Sequence, residues 1–137
     1  LSWGLSAKFA LRSVNTWPLA TATDAGIALM APLLGPGFHT FAPADCNGLT
    51  DAGVRQLALC APGLRTFKAT DCHTVTDAFL PDLMTHCPLL QELCVDGCDN
   101  ITDAGLLAAA PHCQGLRALG LGGCYNASGR AVAQLLV

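Results

Sequence analysis

Cysteine residues recur in this chain at a constant step of 26 residues. The recurring positions are Cys46, Cys72, Cys98 and Cys124. Apolar residues recur at the same step in two further columns, which are Phe38, Leu64, Leu90 and Leu116, and then Phe41, Phe67, Leu93 and Leu119. A period of roughly 20–50 residues indicates stacked repeats, in which each unit buries its apolar face against its neighbours. The chain therefore predicts a solenoid rather than a single globular core.

Each period reads as a helix, a stop signal and a short strand. In one unit the apolar residues at i, i+3, i+4 and i+7 are Leu106, Ala109, Ala110 and Cys113. This spacing places them on one face of a helix. Pro or Gly follows each such face, and an alternating run such as Leu90–Val95 comes next. Alternation over so few residues predicts a short strand with one side in the core. At the start of the chain, we expect a helix over about residues 1–10 and a strand at Leu11–Val14.

A Thr-Asp pair precedes the helical pattern in most units. We expect the Thr to cap its own helix, and the Asp charge to suit the positive end of the helix dipole. Ser128-Gly129 replaces the pair in the last unit. Pro81 is compatible with a helix only within its first turn, and Pro43 should interrupt the hydrogen bonding of its strand.

Residues 90 to 103 read L-x-x-L-x-V-x-x-C-x-x-I-T-D, with Val95 at the third apolar position. This pattern resembles the cysteine-containing subclass of leucine-rich repeats, which is typical of F-box/leucine-rich-repeat proteins and of the antagonist-of-mitotic-exit family. The resemblance implies an α/β fold, a right-handed solenoid like a segment of the ribonuclease-inhibitor horseshoe. Short parallel strands would line its concave face and helices its convex face. We expect residues 1–137 to form one such solenoid of about five repeats, as a fragment of a longer array.

The eight cysteines admit a structural and a chemical interpretation. Recurrence in one column favours thiols that donate hydrogen bonds to turn carbonyls, as buried Cys can do. Zinc binding or disulfide formation is the alternative. His86-Cys87 and His112-Cys113 are adjacent pairs without the C-x-x-C spacing typical of zinc sites. We expect no cofactor and no bound metal, and a reducing compartment, either cytoplasmic or nuclear.

Candidate functional residues are those that break the repeat symmetry and face outward from the strands. Aromatic and Arg side chains commonly dominate protein interfaces, so Trp17, Arg65 and Lys68 come first. The full predicted partner-binding set on the concave face is Trp17, Thr40, Arg65, Thr66, Lys68, Glu92, Cys94 and Asp96.

Composition narrows the class of function. Hydrophobic residues make up 52% of the chain and charged residues 12%, with a net charge of -3. No basic stripe is present, which disfavours nucleic acid as a partner, and no apolar run approaches the length of a membrane span. No asymmetric catalytic constellation emerges, so we expect no enzyme.

The preferred hypothesis is a protein-binding module, the substrate-recognition part of an F-box-type ubiquitin ligase receptor that reaches a Skp1-type adaptor through an F-box outside this chain. The alternatives are a leucine-rich-repeat scaffold unrelated to ubiquitin, and a metal-binding or redox cysteine protein.

Overall fold

The computed structural model describes residues 17–135. Its helices are α1 (Asp24–Met30), α2 (Asp51–Cys60), α3 (Phe79–His86), α4 (Asp103–Ala109) and α5 (Gly129–Leu135). Its strands are β1 (Thr21–Thr23), β2 (Thr40–Phe41), β3 (Asp45–Gly48), β4 (Thr66–Lys68), β5 (Glu92–Cys94) and β6 (Ala118–Gly120). Turns of 3₁₀ helix at Ala31–Leu33 and Ala110–His112 extend α1 and α4. The helix expected over residues 1–10 and the strand expected at Leu11–Val14 lie outside these residues.

Four strands form a parallel sheet in the order β2-β4-β5-β6. Thr40 pairs with Thr66, Thr66 with Glu92, and Glu92 with Ala118. Each step between paired residues is therefore the 26-residue step of the sequence. The prediction of an α/β fold with one short parallel strand per repeat is confirmed over these repeats. None of the helices within residues 17–135 combines the length and apolar character that crossing a bilayer requires.

A second sheet, which the sequence pattern did not predict, joins β1 to β3 in parallel. Strand β2 has only two residues and ends before Pro43, which cannot donate a ladder hydrogen bond. The chain then bends, and the amides of Ala44 and Asp45 both donate to the carbonyl of Ala20, at 2.8 and 3.1 Å. Pro43 thus shortens β2, as expected. Beyond Pro43 the chain forms β3, which pairs with β1 instead of β4.

The core between the sheet and the helices contains a line of aromatic rings. Phe41 and Phe67 are fully buried, and their rings stack with centroids 5.2 Å apart. Phe79 continues the line at 5.8 Å from Phe67. In the next repeats Leu93 takes the same strand position, also fully buried. The 26-residue apolar column is therefore fully buried from Phe41 to Leu93, and Leu119 continues it in a partly buried position.

Helix α3 begins at Phe79, two residues later than the Thr-Asp pattern predicts. This late start places Pro81 at the third helical position, where its missing N–H has no intrahelical partner to lose. The prediction that Pro81 lies within a first turn is confirmed. Phe79 also stands where the corresponding helices have Gly53 and Gly105, and its side chain fills the core instead.

Three of the four recurring cysteines donate hydrogen bonds to backbone carbonyls, and these carbonyls belong to the preceding repeat. The Sγ atoms of Cys72, Cys98 and Cys124 lie 3.2, 3.1 and 3.0 Å from carbonyl oxygens 26 to 29 residues earlier. All three side chains are buried. Each thiol therefore satisfies a backbone carbonyl that the stacking of two repeats removes from water.

Asp side chains near the helix starts form a second set of contacts between repeats. Asp51 accepts hydrogen bonds from the amide and the hydroxyl of Thr76, at 2.8 and 2.6 Å. Asp103 accepts from the amide and hydroxyl of Ser128, at 2.6 and 2.7 Å. We call these paired contacts carboxylate clasps. The same clasp joins Asp24 to Thr50 and Asp77 to Thr102.

The clasps overturn part of the capping prediction. The hydroxyl of Thr23 does cap its own helix, accepting from the amide of Gly26 at 3.0 Å. Thr50 and Thr102 make no such bond, and their hydroxyls instead donate to the Asp of the preceding repeat. The Thr-Asp pair therefore recurs chiefly to join successive repeats.

In two of the four clasps, glycine at the third helical position makes room for the carboxylate. A Cβ on Gly105 would overlap the Asp77 carboxylate and would lie 2.6 Å from the Asp77 Cβ. Gly53 has the same relation to Asp24. Gly in a helix is less stable than Ala by about 1 kcal/mol. At these two positions the space that Gly leaves for the carboxylate offsets that cost.

We predict that Gly105→Ala lowers the free energy of unfolding by about 1–3 kcal/mol, the usual cost of forcing extra volume into a packed site. The gain in helix propensity opposes this loss without cancelling it. The matched control is Gly35→Ala, since a Cβ at Gly35 meets nothing within 4 Å. Urea unfolding followed by circular dichroism would measure both. Equal stability of the two variants would contradict the role of Gly105.

The clasp of Asp103 predicts a pH dependence. Hydrogen bonds from the hydroxyl and amide of Ser128 hold the pKa of Asp103 below its ordinary value. A carboxyl group whose pKa is lower in the folded than in the unfolded state stabilises the fold at pH values above its unfolded pKa of about 4. This stabilisation is lost as the pH falls through the folded-state pKa. We expect the stability difference between the wild type and Asp103→Asn to shrink as the pH falls below about 4. A constant difference in thermal midpoint from pH 7 to pH 3 would contradict it.

The burial of the cysteines predicts their reactivity. Six cysteines are buried, whereas Cys60 and Cys94 are partly exposed. In the native protein we expect alkylation of these two first, with the other six protected until denaturant is added. Mass spectrometry after alkylation gives the count. Fewer than eight modified thiols after unfolding without reductant would contradict the assignment of these side chains to packing.

Candidate protein-binding face

The four-stranded sheet presents one side to the core and the other outward. Along β4 and β5 the middle residues Phe67 and Leu93 are fully buried, whereas the flanking residues are partly exposed. We call the outward side the strand face. The residues on it are Thr40, Ala42, Thr66, Lys68, Glu92, Cys94, Ala118 and Gly120.

An ion pair occupies the middle of the strand face. Lys68 Nζ lies 2.9 Å from Glu92 Oε1, with both side chains about two-fifths exposed. The hydrogen bond and the charge of Glu92 raise the pKa of Lys68. Because each charge is partly balanced by the other, the centre of the face carries little net charge.

A row of polar side chains borders the strand face where the strands begin. It consists of His39, Arg65, Gln91 and Arg117, and we call it the amino-end row. Backbone bonds connect its members in order, since the amides of Arg65, Gln91 and Arg117 donate to the carbonyls of His39, Arg65 and Gln91 at 2.7 to 2.8 Å. Arg65, Gln91 and Arg117 are exposed. The row therefore presents positive charge to solvent.

Carboxylates lie at the opposite ends of the strands. Asp96 Oδ1 accepts from the amide of Gly122 at 2.6 Å, and Asp96 Oδ2 accepts from the thiol of Cys94 at 3.2 Å. Asp99 Oδ2 lies 3.1 Å from His73 Nδ1. Two predicted site residues, Cys94 and Asp96, thus contact each other, and the Asp96 carboxylate also bonds the next turn.

The prediction for Trp17 was wrong. Its side chain is only 7% exposed, and its ring packs edge-on against Phe38 and Phe41 at 6.5 and 5.2 Å. It therefore extends the aromatic line of the core instead of offering a contact surface. An aromatic residue outside the clear repeats has no column to indicate its direction, which is why the sequence misplaced it.

The structure brings the other predicted residues together on neighbouring strands. Thr40, Thr66 and Glu92 occupy paired positions, and Lys68 contacts Glu92. Arg65 lies at their border in the amino-end row. The sequence prediction did not include Arg117 or His39 among the binding residues, although both fall 26-residue steps from Arg65 and Gln91.

The buried thiols are poor candidates for metal or redox chemistry. Burial raises the pKa of Cys46, Cys87 and Cys98 to about 12 and that of Cys113 to about 11. The thiolate is the species that binds metals and attacks disulfides, so these values oppose both reactions. Within residues 17–135, no three His, Cys, Asp or Glu side chains are grouped as metal ligands would be.

A shallow depression on the helical side of the molecule offers little chemistry. It lies between α2 and α3, has a volume of about 370 Å³ and is lined by Arg55, Gln56, Leu59 and Asp82 among others. The charged side chains in its lining are Asp51, Arg55 and Asp82, and Asp51 already accepts the hydrogen bonds of its clasp. The strand face and its amino-end row remain the better candidate for binding.

Comparison with known proteins supports the fold. No family model matches this sequence, and no curated protein matches it. Eleven chains in solved structures do match. One belongs to the crystal structure of the Rad7 and Elc1 complex in yeast, with a TM-score of 0.64 and 15% sequence identity over 98% of this chain. The present chain spans 38% of the length of that chain. At this identity the likeness shows a shared α/β repeat-like fold alone.

Proposed function

We propose that residues 1–137 form one leucine-rich-repeat solenoid of about five repeats, part of a longer array, whose concave strand face binds another protein. The 26-residue register of four parallel strands supports the repeat assignment. The solved chain with a similar fold extends well beyond the length of this one, which fits a segment of an array. Right-handed crossover is the usual connection between parallel strands.

The observation that carries the binding proposal is a contrast between two neighbouring rows. The inward row repeats the same chemistry, with Phe41, Phe67 and Leu93 fully buried and Leu119 partly buried. The outward row varies, as Thr40, Thr66, Glu92 and Ala118. Packing explains a repeated apolar row, whereas nothing in packing requires the outward row to differ from strand to strand. Variation of this kind is what a surface fitted to an asymmetric partner requires.

The more specific proposal is that the module recognises substrates for an F-box-type ubiquitin ligase, with a Skp1-type adaptor bound by an F-box outside this chain. Two points support it. The sequence pattern resembles that of F-box/leucine-rich-repeat proteins, and a chain of similar fold comes from a complex of two proteins, Rad7 and Elc1. We further propose that the protein is not an enzyme and that it acts in a reducing compartment, the cytoplasm or nucleus, where its eight free thiols persist.

We predict that the full-length protein, tagged and recovered from cells, retains a Skp1-type adaptor together with client proteins that carry ubiquitin. The double variant Lys68→Ala/Glu92→Ala should lose the clients and keep the adaptor, because it changes the strand face alone. Quantitative mass spectrometry would measure both. Since the Lys68–Glu92 pair is exposed, its removal should leave the unfolding midpoint nearly unchanged.

The matched control is Arg55→Ala, which removes an exposed charge on the helical side and should retain both adaptor and clients. Clients without adaptor would reject the ligase proposal in favour of a leucine-rich-repeat scaffold unrelated to ubiquitin. Client recovery that is the same in the double variant and the wild type would reject binding at the strand face.

A further inference from the structure

The amino-end row presents two guanidinium groups at a defined separation. Arg65 and Arg117 directly precede β4 and β6, and Gln91 directly precedes β5, which lies between these two strands. Adjacent strands lie about 4.8 Å apart, so their backbones are separated by about 10 Å. Both side chains are exposed. The two guanidinium groups therefore project from the same end of the sheet, with the side-chain amide of Gln91 between them.

These two cations are not neutralised within the part of the chain that the structure describes. The ion pairs found there join Lys68 to Glu92 and His73 to Asp99. Asp96, a further acidic group near the sheet, bonds the amide of Gly122 at the opposite end of the strands. A molecule with a net charge of -3 thus has a local cationic border at one edge of its strand face.

A depression lined by both polar and apolar side chains adjoins this border. It has a volume of about 270 Å³ and is lined by Pro88, Leu89, Gln91, Leu116 and Arg117 together with Gln114 and Gly115. Leu89 is 52% exposed at its wall. Gln91 and Arg117 belong both to this depression and to the amino-end row. An aliphatic side chain and an anionic group could therefore be bound side by side.

We propose that the amino-end row and this depression bind an acidic segment of a partner protein. Carboxylates of the segment pair with Arg65 and Arg117, and an aliphatic side chain of the segment enters the depression beside Leu89. This inference rests on the proposed protein-binding function and specifies the partner's chemistry. Arg presents a planar fork of donors that matches a carboxylate. Gln91 supplies a neutral donor and acceptor between the two.

The charge at the other edge of the sheet fixes where such a segment lies. Asp71, Asp96 and Asp99 follow the strands at their carboxyl ends, and they would repel an acidic segment there. The balanced Lys68–Glu92 pair separates the two edges. The acidic segment is therefore held at the amino ends of the strands, away from the centre of the strand face.

The test is selection of random decapeptides displayed on phage against the purified 137-residue chain, with an unrelated protein for subtraction. We expect enriched peptides that combine two or more Asp or Glu residues with one Leu, Ile or Met. A selected peptide, made synthetically with a fluorophore, should bind about tenfold more weakly to Arg65→Gln and to Arg117→Gln, by loss of a charge-assisted bond. Its affinity should also fall as salt increases.

The control variant is Arg55→Gln, which should bind the peptide as the wild type does, and circular dichroism should show that all three variants remain folded. Peptides without acidic enrichment, or peptides insensitive to both Arg65→Gln and Arg117→Gln but lost in Lys68→Ala/Glu92→Ala, would overturn this inference and leave the proposed function standing. Failure to enrich any peptide over the unrelated protein would overturn the inference, and the cell-based recovery of clients would then decide the proposed function separately.

Discussion

Each 26-residue unit of this chain has to find partners for its polar backbone in the unit beside it. A unit contains one strand of two or three residues and one short helix, which leaves many amides and carbonyls in the turns without partners of their own. The structure answers with parallel strand ladders, with buried thiols that donate to carbonyls of the preceding unit, and with carboxylates that accept from the amide and hydroxyl of the following one. Among these bonds the thiol bonds matter most to the stacking of the apolar rows, because they pair buried carbonyls whose isolation from any partner would cost free energy.

The periodic part of this arrangement could be predicted from the sequence, and the part that depends on neighbouring units could not. Strand positions, the parallel sheet and the thiol bonds follow from the 26-residue step, and Pro81 and Pro43 follow from local geometry. The capping role was predicted correctly for Thr23 and wrongly for Thr50 and Thr102, because helix capping and the carboxylate clasp use the same Thr-Asp pair. In those two units, Gly53 and Gly105, which leave room for a carboxylate, are the sequence signal that could have indicated the clasp.

The candidate binding residues divide in the same way. Positions on repeated columns were placed correctly on one surface, as with Thr66, Lys68 and Glu92. Trp17 lies outside the clear columns, and its size suggested an interface anchor when its ring in fact covers Phe41. Which side chains meet across strands decides that Lys68 pairs with Glu92, whereas Arg65 and Arg117 form no ion pair within residues 17–135. A column of residue types does not contain that information.

The carboxylate clasps also divide each unit into a part of fixed length and a part that can vary. Eleven residues carry the chain from the strand to the clasping Asp in three successive units, from Thr40 to Asp51, Thr66 to Asp77 and Glu92 to Asp103. The return from Asp to strand takes 16 residues after Asp24 but 15 after Asp51, and the extra residue falls in the stretch that holds the 3₁₀ turn at Ala31–Leu33. The extra residue is therefore accommodated on the return through the helix, while the strands of the four-stranded sheet keep a constant 26-residue spacing.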